Sequence, residues 1–249
     1  MSIFNASTKP QIRAPGGRQT LNEQAYARLR HAIISGRLEP GTTLTLRQLA
    51  EQLGTSLMPV REAISRLAAE NAVVVLPQRG IRLPTMGEDE AEEIWALRIQ
   101  LEGEACARAA RFATPEEVAS MRKLADWVRE AAEAGDLHAV LERNSAFQFA
   151  VYGAAHSPTL LQLIEILRLR SVPFYTAAVR RLLRERPSYF AASWHYHDQV
   201  VDAIEARDAV RARRAKQGDL RGLRDYVRSL AEDRDTARKG AAARAAREA

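Results

Sequence analysis

The sequence has little cysteine, a single residue in 249, and this scarcity excludes an internal disulfide framework. The one cysteine, Cys106, lies among small and apolar residues in the segment "LEGEACARAA". No activating base is identifiable beside it, and a thiol without one is a poor nucleophile. We therefore expect Cys106 to be a buried structural residue.

The sequence also lacks an apolar run long enough to cross a bilayer, although 46% of its residues are apolar. The first residues, "MSIFNASTKPQIRAPGGRQ", have no apolar centre of the kind found in secretory signals. Together these features predict a soluble cytoplasmic protein with no membrane partner.

Catalytic patterns are missing as well. The chain contains no recognisable internal repeat and no catalytic glycine-rich motif. An enzyme would need a nucleophile with its base or an intact set of metal ligands, and the sequence shows neither. We therefore expect no enzymatic activity.

The excess of positive over negative charge is confined to the first third of the chain. Residues 1–86 contain 11 Lys and Arg against 5 Asp and Glu, and this excess equals the formal net charge of +6 of the whole chain. A local excess of this kind suits a polyanion such as nucleic acid. A solvated basic face is the alternative interpretation, and charge alone does not choose between them.

The length fits one large domain or two ordinary ones, and the pattern of elements predicts a boundary near residue 86. Residues 1–18, rich in proline and glycine, predict a disordered arm. Residues 19–86 predict three helices and a hairpin, and residues 87–232 predict about six helices. Residues 233–249 lack large apolar side chains and predict a flexible tail.

Two helices separated by a turn are predicted within residues 44–70. The first has Thr45 as its N-cap, Gln48 as the capping-box partner and Gly54 as its terminator. The second has Pro59 in its first turn, where proline is tolerated. Its buried stripe is predicted to be Val60, Ala63, Ile64 and Leu67, and its outer face Met58, Arg61, Glu62 and Ser65.

A hairpin follows these helices. In "VVVLPQRGIRLP", β-branched residues flank "PQRG", which predicts two short strands joined by a turn. Beyond Thr85 only helical patterns remain. One helix is predicted to start at Thr114 with Pro115 at its first position, and another to bend or break near Pro173.

The predicted fold is mainly α: an N-terminal winged helix-turn-helix with a small β-hairpin, followed by an all-α antiparallel helical bundle. In a winged helix-turn-helix the second helix enters the major groove of DNA, and the wing contacts the adjacent backbone. The alternative is that the arginines involved are ordinary surface residues. The residues predicted to bind DNA are Arg47, Thr55, Ser56, Leu57, Met58, Pro59, Arg61, Arg79 and Gly80.

These segments also resemble a known family. "LTLRQLAEQLGTS" followed by "PVREAISRLAAE" is similar to the DNA-binding domain of GntR-family bacterial transcription regulators. The helical remainder, with "LRIQLEGEACARAA", resembles the effector domain of the FadR subfamily. The resemblance implies a homodimeric regulator whose affinity for operator DNA is altered by a small carboxylated metabolite. Leu57 and Met58 depart from the polar or basic residues that are frequent at these positions.

The same resemblance implies a site in the bundle. Many members of the subfamily hold a divalent metal with an Asp or Asn and a His at i and i+4 on one helix and a His from each of two later helices. The matching positions here are Asn144, Gln148, His197 and Asp219. Because Asn and Gln bind transition metals poorly, we expect no cofactor, and any metal would be left with His197 and Asp219.

We expect these residues to bind an effector directly. Arg98 matches a position that faces the cavity in the subfamily and suits a carboxylate. His195 is predicted to lie on a different face of its helix from His197. The predicted effector site therefore comprises Arg98, Asn144, Gln148, His197 and Asp219. A satisfied buried polar network without a ligand is the alternative.

The predicted function is a ligand-responsive DNA-binding transcriptional regulator, with repression favoured over activation. Two other functions stay open at this point. One is an architectural DNA-binding protein without an effector. The other is an enzyme in the bundle with a DNA-binding appendage, although the missing catalytic patterns count against it.

Overall fold

The structure, a computed structural model, describes residues 20–38, 41–77, 80–185 and 187–248. Within these ranges, the description of side chains leaves out residues 137, 177, 182–194 and 231–248. The predicted disordered arm, 1–18, lies outside the described residues. Nine helices and three strands are assigned in this part of the chain. The helices are α1 (Leu21–Ile34), α2 (Leu46–Leu53), α3 (Leu57–Ala69), α4 (Glu88–Phe112), α5 (Pro115–Glu133), α6 (Leu137–Gly153), α7 (Pro158–Glu185), α8 (Pro187–Glu205) and α9 (Ala209–Glu248). The strands are β1 (Thr43–Thr45), β2 (Val74–Leu76) and β3 (Gly80–Arg82).

The chain divides into two compact units. The first contains the residues up to Ala91 together with Gln162–Thr176, and the second contains Glu92–Leu161 and the residues from Ala177 onward. The first unit thus combines α1 to α3 and the strands with a central part of α7. The second contains most of α4, together with α5, α6, α8 and α9.

The first unit is built around the contact of α1 with α3. Ala25, Leu29 and Ile33 of α1 are buried, as is the predicted stripe of α3. Polar contacts at the edge of the α1–α3 packing also hold these helices in place. The Tyr26 hydroxyl donates to the Glu70 carboxylate, and burial together with this carboxylate raises the pKa of Tyr26 to about 12. Arg28 Nη1 donates to the Leu53 carbonyl at the end of α2, which ties α1 to α2.

The prediction for α2 is confirmed in its details. The Thr45 side chain accepts from the Gln48 backbone N–H, the Gln48 side chain accepts from the Thr45 backbone N–H, and Gly54 has the left-handed conformation at the C-terminus. The start of α5 is confirmed in the same way, with a full capping box on Thr114 and Pro115 in the first turn. Both predictions depended on signals within one helical turn, and such local signals specify where a helix begins and ends.

The sheet has three strands rather than the two predicted. Their order is β1-β3-β2, and both pairings are antiparallel. The additional strand, β1, was not predicted, and it pairs with β3, with Leu44 opposite Ile81. It was missed because it is only three residues long and exists through its non-local pairing with β3, which a local pattern does not reveal.

The second unit is an antiparallel bundle in which α5 packs against α6 and α8, and α8 packs against α9. Ion pairs link α5 to α8 at the surface, for example Arg129 with Asp198 at 3.0 Å. Cys106 is fully buried, and burial raises the pKa of its thiol to about 12. The prediction of a buried structural thiol is therefore confirmed.

We expected a bend or a break near Pro173, and the break is absent because α7 is continuous from Pro158 to Glu185. Proline removes one backbone N–H from the helix interior and so leaves the carbonyl one turn earlier without its usual partner. Nearby residues on the same helix, Leu169, Val172 and Tyr175, are buried. We attribute the continuity of α7 to this packing, because tertiary burial can offset the loss of one helical hydrogen bond.

The backbone of α9 is helical to Glu248 and so includes the segment predicted as a flexible tail.

No helix in the described part of the chain has both the length and the apolar character that crossing a bilayer requires.

Candidate functional sites

The outer face of α3 presents a mixed apolar and basic surface. Leu57 and Met58 are 41% and 64% exposed, so two adjacent apolar side chains lie at the surface where α3 begins. Arg61 lies one turn later and is exposed, and among the described residues it has no ion-pair partner. Arg47 on α2 is likewise exposed and unpaired. These side chains are available to an external partner.

The start of α3 differs from the starts of three other helices. Ser56 is the N-cap of α3 but makes no side-chain capping hydrogen bond. Full capping boxes close the N-termini of α1, α2 and α5. The first N–H groups of α3 therefore stay available for an anion, and the partial positive charge of a helix N-terminus favours one.

Other residues predicted to bind DNA are placed differently. Pro59 is buried beneath the start of α3, where it shapes the surface without belonging to it. Gly80 is buried in β3, and a Cβ there would meet the Leu44 carbonyl oxygen at 3.1 Å, so glycine permits close strand pairing. Thr55 is half-buried, and Arg79 lies outside the described residues. Arg82, which was not among the predicted residues, is exposed on β3 beside the predicted turn.

The second candidate site is a polar cluster inside the second unit, buried except for the half-buried Asn144 and Asp219. We define it as Arg98 and Glu102 of α4, Asn144, Gln148 and Tyr152 of α6, His197 of α8, and Lys216 and Asp219 of α9. Arg98 Nε donates to Glu102 Oε1 at 2.7 Å, and the two side chains are 1% and 0% exposed. The Tyr152 hydroxyl donates to the other oxygen of the Glu102 carboxylate and lies 2.9 Å from Gln148 Oε1. A fully buried ion pair is thus joined to α6.

Gln148 is the centre of the polar cluster. Its amide nitrogen lies 3.4 Å from Asn144 Oδ1 and 3.4 Å from His197 Nε2. Its amide oxygen accepts from Lys216 Nζ at 2.8 Å. Lys216 Nζ also donates to Asp219 Oδ2 at 3.0 Å. The five residues predicted to bind an effector therefore belong to one connected network, in which Arg98 and Asp219 are reached through Glu102 and Lys216.

His197 is held neutral by its surroundings. Burial lowers the pKa of His197 to about 4, opposed by Asp219 and reinforced by the positive charges of Lys216 and Arg129. The ring packs against Phe147 with centroids 4.5 Å apart. Its Nδ1 is buried and has no hydrogen-bond partner among the described residues. If Gln148 Nε2 donates to His197 Nε2, the ring proton lies on Nδ1, and this buried N–H lacks an acceptor. His195 is exposed, as predicted from helical geometry.

Comparisons with known proteins match family models to both parts of the chain. The model of the gntR family of bacterial regulatory proteins matches residues 21–83, and that of the FCD domain matches residues 93–222. The HTH-type transcriptional regulator McbR of Escherichia coli K12 is 36% identical over 193 residues, 76% of this chain and 84% of that protein. The chain belongs to the GntR family.

Other relatives place this GntR-family chain among transcription regulators. The HTH-type transcriptional repressor GlaR of Escherichia coli K12 is 29% identical, with 75% of this chain and 86% of that protein covered. The solved structure of E. coli McbR/YncC has a TM-score of 0.78 and 29% identity, and covers 86% of this chain and 99% of that one. The chain is therefore a transcription regulator with a DNA-binding domain and an FCD domain, and not an enzyme.

The divalent metal implied by the resemblance does not fit the residues of this GntR-family chain. Of the four matching positions, only His197 supplies an imidazole, and its Nε2 faces the Gln148 amide nitrogen. Asp219 is engaged by the Lys216 ammonium, which already places a positive charge among these side chains. Within the described ranges, no group of three or more His, Cys, Asp and Glu could hold a metal ion.

Three members of the polar cluster were missed from the sequence, namely Glu102, Tyr152 and Lys216. Each has a helical signal that could have found it. Glu102 is four residues after Arg98, Tyr152 is four after Gln148, and Lys216 is three before Asp219. What the spacing does not show is the pairing of Lys216 with Gln148 across two helices, which depends on how α6 and α9 pack.

A surface depression of about 590 Å³ also lies in the second unit. It is lined by residues of α5 together with Glu205 and Arg207, and it contains no member of the polar cluster.

Proposed function

We propose that this regulator binds operator DNA as a homodimer in the cytoplasm, that it acts as a repressor, and that a small organic acid bound at the polar cluster changes its operator affinity. The observation that carries the DNA-binding part is Arg61 on the outer face of α3, which is exposed and has no ion-pair partner in the part of the chain that the structure describes. An arginine there can present its planar fork to a guanine edge or to a phosphate.

The apolar start of α3 supports a particular kind of base contact. Leu57 and Met58 lie one turn before Arg61, and both are exposed. Apolar side chains in the major groove contact the methyl group of thymine. The uncapped N–H groups beside them suit a backbone phosphate. We therefore propose a half-site in which Arg61 reads a guanine next to a thymine contacted by Leu57 or Met58.

The DNA-binding proposal is tested with an operator selected from random-sequence DNA by the purified protein. Arg61→Ala should weaken binding to that operator by about 10- to 100-fold, corresponding to about 1–3 kcal/mol for a lost bidentate base contact. Arg211→Ala, which removes an exposed arginine from α9, is the control and should leave affinity unchanged. Equal affinity of Arg61→Ala and the wild type in gel-shift titrations would refute the role of Arg61.

The effector part rests on the buried Nδ1 of His197, for which the described part of the chain offers no hydrogen-bond partner. A buried donor without an acceptor destabilises a protein by about 1–3 kcal/mol, and a ligand oxygen would satisfy it. Arg98 adds a buried guanidinium to the same network. An acid that binds here can change operator affinity only as far as it binds the two states of the regulator with different affinity.

A library of small mono- and dicarboxylic acids, screened by thermal shift, tests this part. An acid that raises the melting temperature of the wild type should do so less for His197→Phe, which keeps the ring volume but removes the donor. His195→Gln, altered at an exposed imidazole two residues away, should respond as the wild type does. The same acid should change operator affinity. A regulator that binds operator but responds to no acid would favour the architectural alternative.

A further inference from the structure

Lys216 is a buried cation in the polar cluster. Its side chain is only 3% exposed, although lysine is rarely buried without charged partners. Three oxygens surround its ammonium group. Gln148 Oε1 lies at 2.8 Å, Asp219 Oδ2 at 3.0 Å and Glu102 Oε2 at 3.5 Å.

These partners include two of the four positions that the resemblance gives to metal ligands, Gln148 and Asp219. The other two, Asn144 and His197, contact the amide nitrogen of the same Gln148. Two of the four side chains therefore contact the Lys216 ammonium group directly, and the other two contact it through Gln148.

An ammonium and a divalent ion exclude each other in this space. A transition metal needs donor atoms at about 2.0–2.2 Å, whereas the oxygens here are spaced for N–H···O hydrogen bonds. Two positive charges a few Å apart in a poorly solvated interior also repel each other strongly. The positive charge of the Lys216 ammonium offsets the negative charges of the Glu102 and Asp219 carboxylates. A divalent ion at this site would otherwise offset them.

We propose that Lys216 is a built-in cation that replaces the divalent metal of this site. The regulator then needs no metal ion to fold its second unit or to occupy its site. One consequence rests on the proposed function, namely that the response to the organic acid is independent of metal supply. The replacement itself does not depend on effector binding and is tested without an effector.

Four proteins are compared by zinc chloride titration calorimetry and by elemental analysis of the purified, dialysed samples. They are the wild type, Gln148→His, Lys216→Ala, and the double variant with both changes. Zinc should bind neither the wild type nor Gln148→His, because both retain the ammonium. The double variant should bind stoichiometric zinc, and more tightly than Lys216→Ala, because it gains an imidazole where the cation has been removed.

Two controls keep the result interpretable. Adding His195→Gln to the double variant removes an exposed imidazole, and zinc binding should persist if it occurs at the polar cluster. Circular dichroism reports whether each variant is folded. If Lys216→Ala unfolds the protein, Lys216→Met keeps the apolar stem and takes its place in both the single and the double variant.

Three outcomes would overturn the proposal. The first is stoichiometric zinc in the wild type. The second is equal zinc affinity of Gln148→His and the double variant, because the ammonium would then not keep the ion out. The third is a folded double variant that binds no zinc. None of these measurements uses DNA or an acid, so the proposed function can fail while the replacement stands, and the reverse also holds.

Discussion

At the residue scale, the burial of His197 makes the stability of the folded protein depend on pH. The groups that act on its pKa come from two helices packed around it, with Asp219 and Lys216 on α9 and Arg129 on α5. Burial outweighs the favourable Asp219 carboxylate, and the pKa falls from 6.5 to about 4. The folded protein therefore keeps the ring neutral under conditions in which the unfolded chain protonates it.

This shift predicts a loss of stability in acid. Between pH 6.5 and about 4 the unfolded state binds more protons than the folded state, so the free energy of unfolding falls as the pH is lowered through that window. The full effect of His197 amounts to about 3 kcal/mol, at about 1.4 kcal/mol per pKa unit. Well above pH 6.5 the ring is neutral in both states and this dependence disappears.

Urea unfolding from pH 7.5 to 4.5 measures the effect. His197→Gln should lose less stability than the wild type as the pH falls, because it has no imidazole to protonate. His195→Gln should follow the wild type, since His195 is exposed. Parallel curves for His197→Gln and the wild type would show that the buried ring does not titrate in this window.

At the element scale, the end of α1 depends on one glycine. Gly36 has φ +68, and its N–H donates to the Ile33 carbonyl, which closes the helix. A Cβ at this position would meet Thr176 Cγ2 at 2.8 Å. Gly54 closes α2 with φ +64, but a Cβ there would meet nothing within 4 Å. A side chain at Gly54 would therefore introduce backbone strain alone, whereas a side chain at Gly36 would add a steric clash to the strain.

Alanine at each glycine tests this separation. Gly54→Ala should reduce the free energy of unfolding by about 1–2 kcal/mol from the left-handed backbone alone. Gly36→Ala should reduce it by about 2–5 kcal/mol, because overpacking against Thr176 adds to the strain. Thr176→Ala in the Gly36→Ala background should recover part of the loss. Equal losses at the two glycines, measured by urea unfolding, would show that Thr176 moves away freely.

The elements also show what the sequence could predict. The ends of α2 and α5 followed from capping residues within one turn, and the buried stripe of α3 followed from helical periodicity. Strand β1 was missed because it forms only by pairing with β3. For the candidate effector site, the sequence resemblance supplied Asn144, Gln148, His197 and Asp219. It did not supply Lys216, whose partner Gln148 lies on another helix.

At the scale of the whole molecule, the asymmetry of charge links composition to function. The entire formal excess of +6 lies in residues 1–86, which contain the matched GntR domain. The remaining residues carry equal numbers of basic and acidic side chains. Since phosphate contacts release counterions, this distribution predicts DNA binding that weakens steeply with salt and depends on only one part of the chain.

Arg47 and Arg61 should contribute to this salt dependence in different ways. Both are exposed and unpaired among the described residues, but Arg47 lies on α2, the helix before the one proposed to read bases. Arg47→Ala should weaken binding to operator and to random DNA by a similar factor. It should also reduce the slope of log affinity against log salt concentration by about 1, the value for one phosphate contact.

Fluorescence anisotropy titrations at several salt concentrations measure these slopes for both DNAs. Arg61→Ala should instead lose most of the difference between operator and random DNA, because a base contact specifies sequence and a phosphate contact does not. Arg211→Ala should leave both slopes unchanged. If Arg47→Ala reduced operator binding alone, Arg47 would be a base-reading residue, and the assignment of roles to α2 and α3 would have to be exchanged.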